Sequence, residues 1–321
     1  MKPVPRLYRT LPRRDTTAPS ALTIGNFDGV HRGHQAILEQ VRGQAGQQGL
    51  IPSVMTFAPH PRAFFAHRGG RPELIPTQIS SLRDKVALLV EHGMRQIVIQ
   101  RFNQALADMS AEAFIEQLLV RGLNTRWLLV GEDFRFGHKR SGDIELLRRM
   151  GRAHGFTVET IADINDAHGQ RISSSALRTA LAVGNLPHSC TLLGGPFRIT
   201  GHVIHGQKLG RDLGFPTLNL RVPAPCAARS GIYVVRVHGL DADPLPGVAS
   251  LGVRPTVTRD GPLLLETHIL DQRVNAYGKL VCVEFLEFLR DEESFPDLTT
   301  LIAAIQQDAQ GARDYFASHG L

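Results

Sequence analysis

The sequence predicts an α/β domain built on a parallel sheet, followed by a small antiparallel β-barrel domain with a C-terminal helix. Three observations carry this expectation. From Ala21 to about Leu186, buried-strand patterns alternate with amphipathic helical ones, the arrangement that lays helices on the faces of a parallel sheet. After Leu193 the pattern changes to short alternating strands separated by glycine and proline turns, as in an antiparallel sheet. One amphipathic helix then closes the chain. Its apolar stripe, Leu298, Leu301, Ile302, Ile305, Ala309 and Phe316, is expected to cover one side or mouth of the barrel.

In chain order, strands of the first domain are expected at residues 21–24, 52–57, 96–100, 126–130 and 157–161, with helices between them. A helix over 35–47 follows the first strand. In the helix over 81–92 the apolar face is Leu82, Val86, Leu89 and Val90, with Arg83, Asp84 and Lys85 toward water. Ser110 caps another helix that runs through Leu119 and ends at Gly122. A short helix from about Ser174 stops at Gly184, and Leu186-Pro187-His188-Ser189 reads as a linker. The expected domains are therefore residues 1–186 and 187–321. Strands of the second are expected at 197–204, 232–237, 246–251, 263–270 and 280–288.

The 321 residues, 42% hydrophobic and 21% charged, are ordinary for a globular protein and enough for two cores. The net charge of +6 points to an anionic partner. Basic clusters are short, Arg13-Arg14 and Lys139-Arg140, which favours a small phosphorylated ligand over nucleic acid. Cys190, Cys226 and Cys282 are widely separated without metal-ligand spacing and read as reduced thiols of a cytoplasmic protein. The proline-containing basic N-terminus lacks the apolar core of a signal peptide, and no segment is apolar enough to span a membrane.

The stretch Thr23 to His34 holds Gly25, Phe27, Asp28, Gly29, His31, Gly33 and His34 at a strand-to-helix turn. Unpaired N–H groups and the positive end of the helix dipole attract an anion there, and glycines let the backbone approach it. His31 and His34, three apart, can project toward one ligand. Two surface histidines at a helix start is the bland alternative; a zinc pair ranks last, because no third ligand stands nearby. Three further segments converge on strand ends, where open α/β sheets bind ligands. They are Thr56-Phe57-Ala58-Pro59-His60-Pro61, whose prolines fix a rigid loop, Gly131 to Gly137 with Asp133, and Ile172 to Arg178. Ser174, Ser175 and Arg178 read either as a simple N-cap or as a polyphosphate grip.

In the second domain, Gly201 to Gly206 leads into Gly210-Arg211-Asp212-Leu213-Gly214-Phe215-Pro216-Thr217-Leu218-Asn219-Leu220. No Gly-Lys-Ser/Thr follows, so this is not a Walker loop. Gly201 and Gly206 read as barrel turns. Thr217 and Asn219 share one face of an extended segment, and their oxygens suit a Mg²⁺-phosphate group. Along 263–270, Leu263, Leu265, Thr267 and Ile269 share one face; Glu266 and His268 share the other, a solvated face on the bland reading.

The Gly25-to-His34 motif followed by Ile172-Ser173-Ser174-Ser175-x-x-Arg178 resembles the nucleotidyltransferase superfamily. In detail it resembles the adenylyltransferase half of the prokaryotic bifunctional riboflavin kinase/FMN adenylyltransferase (FAD synthetase) family, with Ser175 where the family usually has Thr. The glycine-rich segment, Ser250 to Thr256, Tyr277-Gly278 and Arg290-x-Glu292-x-x-Phe295 resemble its riboflavin kinase module; Leu218 and Arg254 depart from the family's Ala and Asn. The resemblance implies a Rossmann-like nucleotidyltransferase domain and two reactions. Riboflavin would be phosphorylated to FMN, releasing ADP. FMN would then be adenylylated to FAD, releasing pyrophosphate. ATP is the co-substrate and Mg²⁺ the cofactor; neither nucleic acid nor membrane is a partner. For ATP the resemblance implies Gly25, Phe27, Asp28, His31, His34, Asp133, Ser174, Ser175, Arg178, Gly210, Gly214, Thr217 and Asn219. For the flavin it implies Phe57, Pro59, His60, Pro61 and Arg171, and for Mg²⁺ it implies Thr217 and Asn219. Glu266 is implied as the base that the neutral riboflavin hydroxyl needs, and His31 and His34 as the groups that stabilise charge in adenylyl transfer. Two alternatives stand beside this: another small-molecule adenylyl- or cytidylyltransferase with an appended barrel, and a nucleic-acid-binding protein sharing the His-x-x-His logic of class I aminoacyl-tRNA synthetases.

Overall fold

In the computed structural model, which describes residues 4–10, 18–206, 213–253 and 261–320, the chain forms two compact units. One runs to Pro76 and resumes from Lys85 to Ser173; the other takes Thr77–Asp84 together with the chain from Ser174 onward.

The first unit is built on β1 (Arg6–Tyr8), β2 (Ser20–Ile24), β3 (Ile51–Ala58), β4 (Gln96–Arg101), β5 (Thr125–Gly131) and β6 (Thr157–Ile161). All pairings are parallel, in the order β1-β4-β3-β2-β5-β6. Alternate side chains of the same strands feed two apolar clusters, one with Leu22, Ile24, Leu128 and Val130, the other with Ala21, Trp127 and Leu129. This is the period of two acting on a sheet covered on both faces. The chain first steps from β2 to β3 and β4, then crosses to β5 on the other side of β2. That reversal makes the carboxyl ends of β2 and β5 the crevice where such sheets take ligands.

Helices of this unit include α1 (Arg32–Gln48), which buries Leu38, Val41 and Ala45 and ends at Gly49 with φ 65°. α2 (Pro61–Arg68) begins where the expected rigid loop ends; Pro61 occupies its first turn, where a missing N–H costs nothing. In α3 (Leu82–Glu91) the expected polar face is wrong at Asp84 and Lys85, which are buried, and Leu82 of the expected apolar face is 37% exposed. Ser81 explains Asp84: its hydroxyl donates to Asp84 Oδ2 at 2.7 Å and accepts from Asp84 N at 3.0 Å. α4 (Gln104–Ala107) precedes α5 (Ala111–Phe114), which Ser110 caps by accepting from Ala113 N; α5 continues as a π-helical stretch, Ile115–Gly122, before α6 (Ile144–His154).

The second unit holds an antiparallel sheet of β7 (Phe197–His202), β8 (Thr217–Arg221), β9 (Gly231–His238), β10 (Leu245–Val253), β11 (Leu263–Ile269) and β12 (Leu280–Arg290), ordered β7-β12-β9-β10-β11-β8. Its two edges meet just past β7, where Ile204 N donates to Asn219 O at 2.8 Å, so the sheet curls into a small barrel. Leu220, Leu265 and Leu251 sit opposite one another on adjacent strands and are fully buried. α7 (Ser174–Ala182) leads into α8 (Leu186–Leu193), which replaces the expected linker. Asn185 caps α8 by accepting from His188 N at 3.0 Å, and Pro187 is harmless in the first turn.

The closing helix, α9 (Leu298–His319), packs Ala309, Ala312 and Phe316 against Val234 and Val248. Leu298, counted in the expected apolar stripe, is 55% exposed. Asp308 anchors the same helix to β12, accepting from Arg290 Nε at 2.8 Å and Nη2 at 2.7 Å. Residues Thr77–Asp84 are tied into this unit by backbone bonds. Gln78 N donates to Pro225 O at 2.7 Å and Ala227 N to Gln78 O at 2.9 Å.

Candidate active sites

At the mouth of α1 the loop after β2 is held by a few strong constraints. Thr56 Oγ1 donates to Asn26 O at 3.0 Å, and Gln35 Nε2 donates to Val30 O at 2.9 Å. Gly29 takes φ 82°, while Phe27 and Val30 are non-glycine residues held at φ 48° and 42°. Phe27 is almost wholly buried, its ring folded back so that a Cβ on Gly25 would meet it at 3.0 Å. His31 caps α1, its Nδ1 accepting from His34 N at 3.4 Å. The two imidazoles stack, with centroids 3.7 Å apart and planes 18° apart, and His34 leans on Phe27 at 4.9 Å. The first turn of α1 carries no acidic residue, so the dipole's positive end is not neutralised there.

Around the carboxyl ends of β3 and β4, Phe57 lies edge-on to Phe102 at 5.9 Å, and Phe64 packs on Phe102 at 5.4 Å. His60 caps α2, Nδ1 accepting from Arg62 N at 3.1 Å. After β5, Asp133 pairs with Arg171 at 3.4 Å, and Arg171 also reaches Asp163 at 2.9 Å. A Cβ on Gly33 would meet the Ile172 carbonyl at 3.2 Å, so the backbone just ahead of the serine run lies against the α1 mouth. The serines themselves open α7, with Ser174 half-buried and Ser175 exposed. Arg178 Nε donates to Thr77 O at 2.7 Å.

In the barrel, strand register settles what shares a face. Asn219 stands opposite Glu266, Thr217 opposite His268, and Ser250 opposite Glu266 from the other side. A polar row therefore crosses β10, β11 and β8 beside a cleft lined by Val203, Gly206, Pro216, Thr217, Asn219 and Tyr277. Asn219 Nδ2 lies 3.3 Å from Thr217 Oγ1, and Leu220 sits in the core opposite Leu265. Gly201 and Gly206 are not turn glycines. Gly201 pairs with Val281 inside the sheet, and a Cβ on Gly206 would strike the Asn219 amide at 2.7 Å. Gly214 does turn the chain, at φ 89°. Gly210 and Arg254 lie outside the described residues.

Two family models match in succession: FAD synthetase over residues 13–176 and riboflavin kinase over residues 193–316. A curated bifunctional riboflavin kinase/FMN adenylyltransferase of Escherichia coli K12 is 41% identical over 92% of either chain. The chain belongs to the bifunctional riboflavin kinase/FMN adenylyltransferase family. The homologue of that name from Pseudomonas fluorescens is 43% identical over 91% of either chain. A crystal structure named as a macrolide-efflux protein from Streptococcus pneumoniae shares the fold, with a TM-score of 0.76 and 26% identity over 97% of this chain and 99% of that one.

Beside the sites, two aromatic residues escape sequence reasoning, and the setting of Glu292, named in the Arg290-x-Glu292 motif, is fixed only by the fold. Phe64 and Phe102 build the aromatic wall with Phe57; the only signal for Phe102 was its place just past the end of a strand. Glu292 accepts from Ser250 Oγ at 3.0 Å, and a Cβ on Gly252 would overlap its carboxyl group. Partial desolvation pushes the Glu292 carboxyl above the usual range, the Ser250 hydrogen bond pulls it back, and the charge of Glu266 raises it further. Glu266 thus has a second carboxyl for a neighbour, one that the Arg290-x-Glu292 motif alone does not place.

Proposed function

We propose that the chain makes FAD from riboflavin in two ATP-dependent steps. The barrel unit phosphorylates riboflavin to FMN, and the FMN phosphate then attacks the α-phosphorus of ATP, giving FAD and pyrophosphate. The observation that carries the reading is the contrast between the two sites. One sets a carboxylate, Glu266, opposite Asn219 on the wall of a cleft. The other sets two stacked imidazoles at a helix N-terminus.

Each donor set suits its step. Riboflavin's hydroxyl is neutral, so as its oxygen attacks the γ-phosphorus and ADP leaves, the proton passes to Glu266. An FMN phosphate is already anionic and needs no base. His31 and His34 hold the ATP phosphates as charge builds, and Asp133 contacts the nucleotide. Phe57, Pro59, His60, Pro61 and Arg171 hold the flavin. Thr217 and Asn219 supply neutral, hard oxygens that fit Mg²⁺ arriving on phosphates, and glycine at 206 leaves the Asn219 amide room. Those two side chains would hold the cation through their oxygens; the Asn219 amide has Nδ2 toward Thr217, so its Oδ1 would have to take that place. Bound Mg²⁺ supplies a Lewis acid that draws charge from the transferring phosphoryl group. Cytoplasmic residence belongs to the same proposal, supported by the use of ATP and by thiols that no disulfide joins.

Incubation with riboflavin and MgATP, followed by separation of flavins, tests this. FMN should appear first and FAD after it. Folded protein that forms neither refutes the reading, and ATP consumption indifferent to riboflavin points to another nucleotidyltransferase.

Ser174, Ser175 and Arg178 are proposed to hold the leaving pyrophosphate. Arg178 also ties α7 to Thr77, so Arg178→Ala should slow adenylyl transfer and lower the melting temperature together. Arg178→Lys keeps a positive charge but not the guanidinium geometry. If both variants melt lower yet transfer adenylyl groups at the normal rate, the residue is an anchor alone.

The domain division at 186/187 is likewise a proposal; whether the kinase step stands alone is tested with a fragment that keeps whole helices and lacks the Thr77–Asp84 segment. A fragment from Cys190 starts inside α8, whereas one from Ser174 keeps α7 and α8 whole. Residues 174–321 should form FMN but no FAD. An inert but folded fragment would mean that the kinase step draws on residues ahead of Ser174.

A further inference from the structure

We infer that His268 is a positioning residue for the kinase step, holding the Phe215-Pro216-Thr217 segment in register so that Thr217 faces the nucleotide; this rests on the riboflavin kinase reading above. Three contacts converge on it. His268 is the cross-strand partner of Thr217. Its Nδ1 lies 3.0 Å from the Pro216 carbonyl oxygen. Its ring meets Phe215 edge to face at 5.4 Å.

A carbonyl oxygen can only accept, so the contact requires a proton on Nδ1, and His268 is the donor. The bond matters because of where it falls. Pro216 has no N–H to pair, and β8 begins only at Thr217, so the entry to this edge strand has no ladder bond from Pro216. The His268 donor supplies one through the Pro216 carbonyl, immediately before the residue whose hydroxyl serves the phosphate. Pro216 and Thr217 both line the cleft, so a shift of the segment moves the cleft wall itself. A displacement of about 1 Å at a substrate-positioning group costs as much as 10²-fold.

Three versions of the full chain decide the matter: wild type, His268→Ala and His268→Asn. Asparagine places an N–H donor near the position of Nδ1–H, and alanine has none. His268→Ala should raise KM for MgATP in FMN formation by about tenfold with kcat changed much less, and His268→Asn should recover most of that loss. FAD formation from supplied FMN, measured on the same preparations, should be unchanged in both. MgADP titration provides a readout besides turnover: His268→Ala should weaken one class of binding site, and His268→Asn should restore it. Equal behaviour of alanine and asparagine, or a normal KM and MgADP affinity in alanine, overturns the inference. If His268→Ala fails to fold, the comparison of His268→Asn with His268→Leu, a donor-free side chain of similar bulk, decides the question in the same way. A wild type that binds MgADP but forms no FMN would instead overturn the kinase reading, leaving the effect of His268 on MgADP binding to be read separately.

Discussion

Glu266→Gln lowers FMN formation from riboflavin by about 10² or more, while FAD formation from supplied FMN continues. Glutamine keeps the size of the side chain and its place opposite Asn219 and Ser250, so the barrel should fold as before. What it removes is the proposed acceptor for the riboflavin hydroxyl proton. The neighbouring Glu292 makes the expectation sharper. Its carboxyl lies close enough to feel Glu266 and is held by Ser250, so residual activity in Glu266→Gln that disappears in the double variant with Glu292→Gln would identify a substitute base. Initial rates of FMN formation, with adenylyl transfer as the internal control, provide the measurement. Full kinase activity in Glu266→Gln would place that side chain on an inert solvated face.

His34→Ala should have the reciprocal effect, with FAD formation from FMN falling roughly 10² and riboflavin phosphorylation preserved. The structure selects His34 over His31 for this test. His31 Nδ1 caps α1, so replacing it also removes a cap, at a cost of about 1 kcal/mol of stability. His34 makes no such cap; it stacks on His31 and rests on Phe27. Its loss should leave α1 in place while stripping one donor from the mouth where charge develops. Both rates and the melting temperature must come from one preparation, because a folding defect depresses both activities. Lost kinase activity with intact adenylyl transfer would reverse the assignment of reactions to domains.

The sequence by itself determined the fold class and the order of the two architectures, and it named the candidate residues of each site. Those features follow from local periods. Apolar runs bounded by glycine marked the first domain's buried strands, and alternation with a period of two marked which residues of β8 and β11 share a face. It also separated Thr217 and Asn219 from Leu218 and Leu220, as the register bears out by setting Asn219 opposite Glu266, Thr217 opposite His268 and Leu220 opposite the buried Leu265. Motif spacing carried the family, because the glycine, histidine and serine positions answer to local turn and helix geometry.

Only the tertiary structure decided which faces meet. Nothing local in Leu263–Ile269 says that Glu266 lies between Ser250 and Asn219; that depends on the pairing of three strands. Glu292 joins them across Gly252, a position where any Cβ would collide with its carboxyl group. Asp84 looked solvated because it stands in a run of charges, yet its partners are Ser81 and the Thr200 amide, the latter remote in sequence. α8 looked like a linker because proline and serine follow glycine, but a proline in the first turn of a helix removes no hydrogen bond. Periodicity records how a segment divides into faces; the identity of the group opposite each face is a property of the packed chain, set by register and by contacts between distant residues.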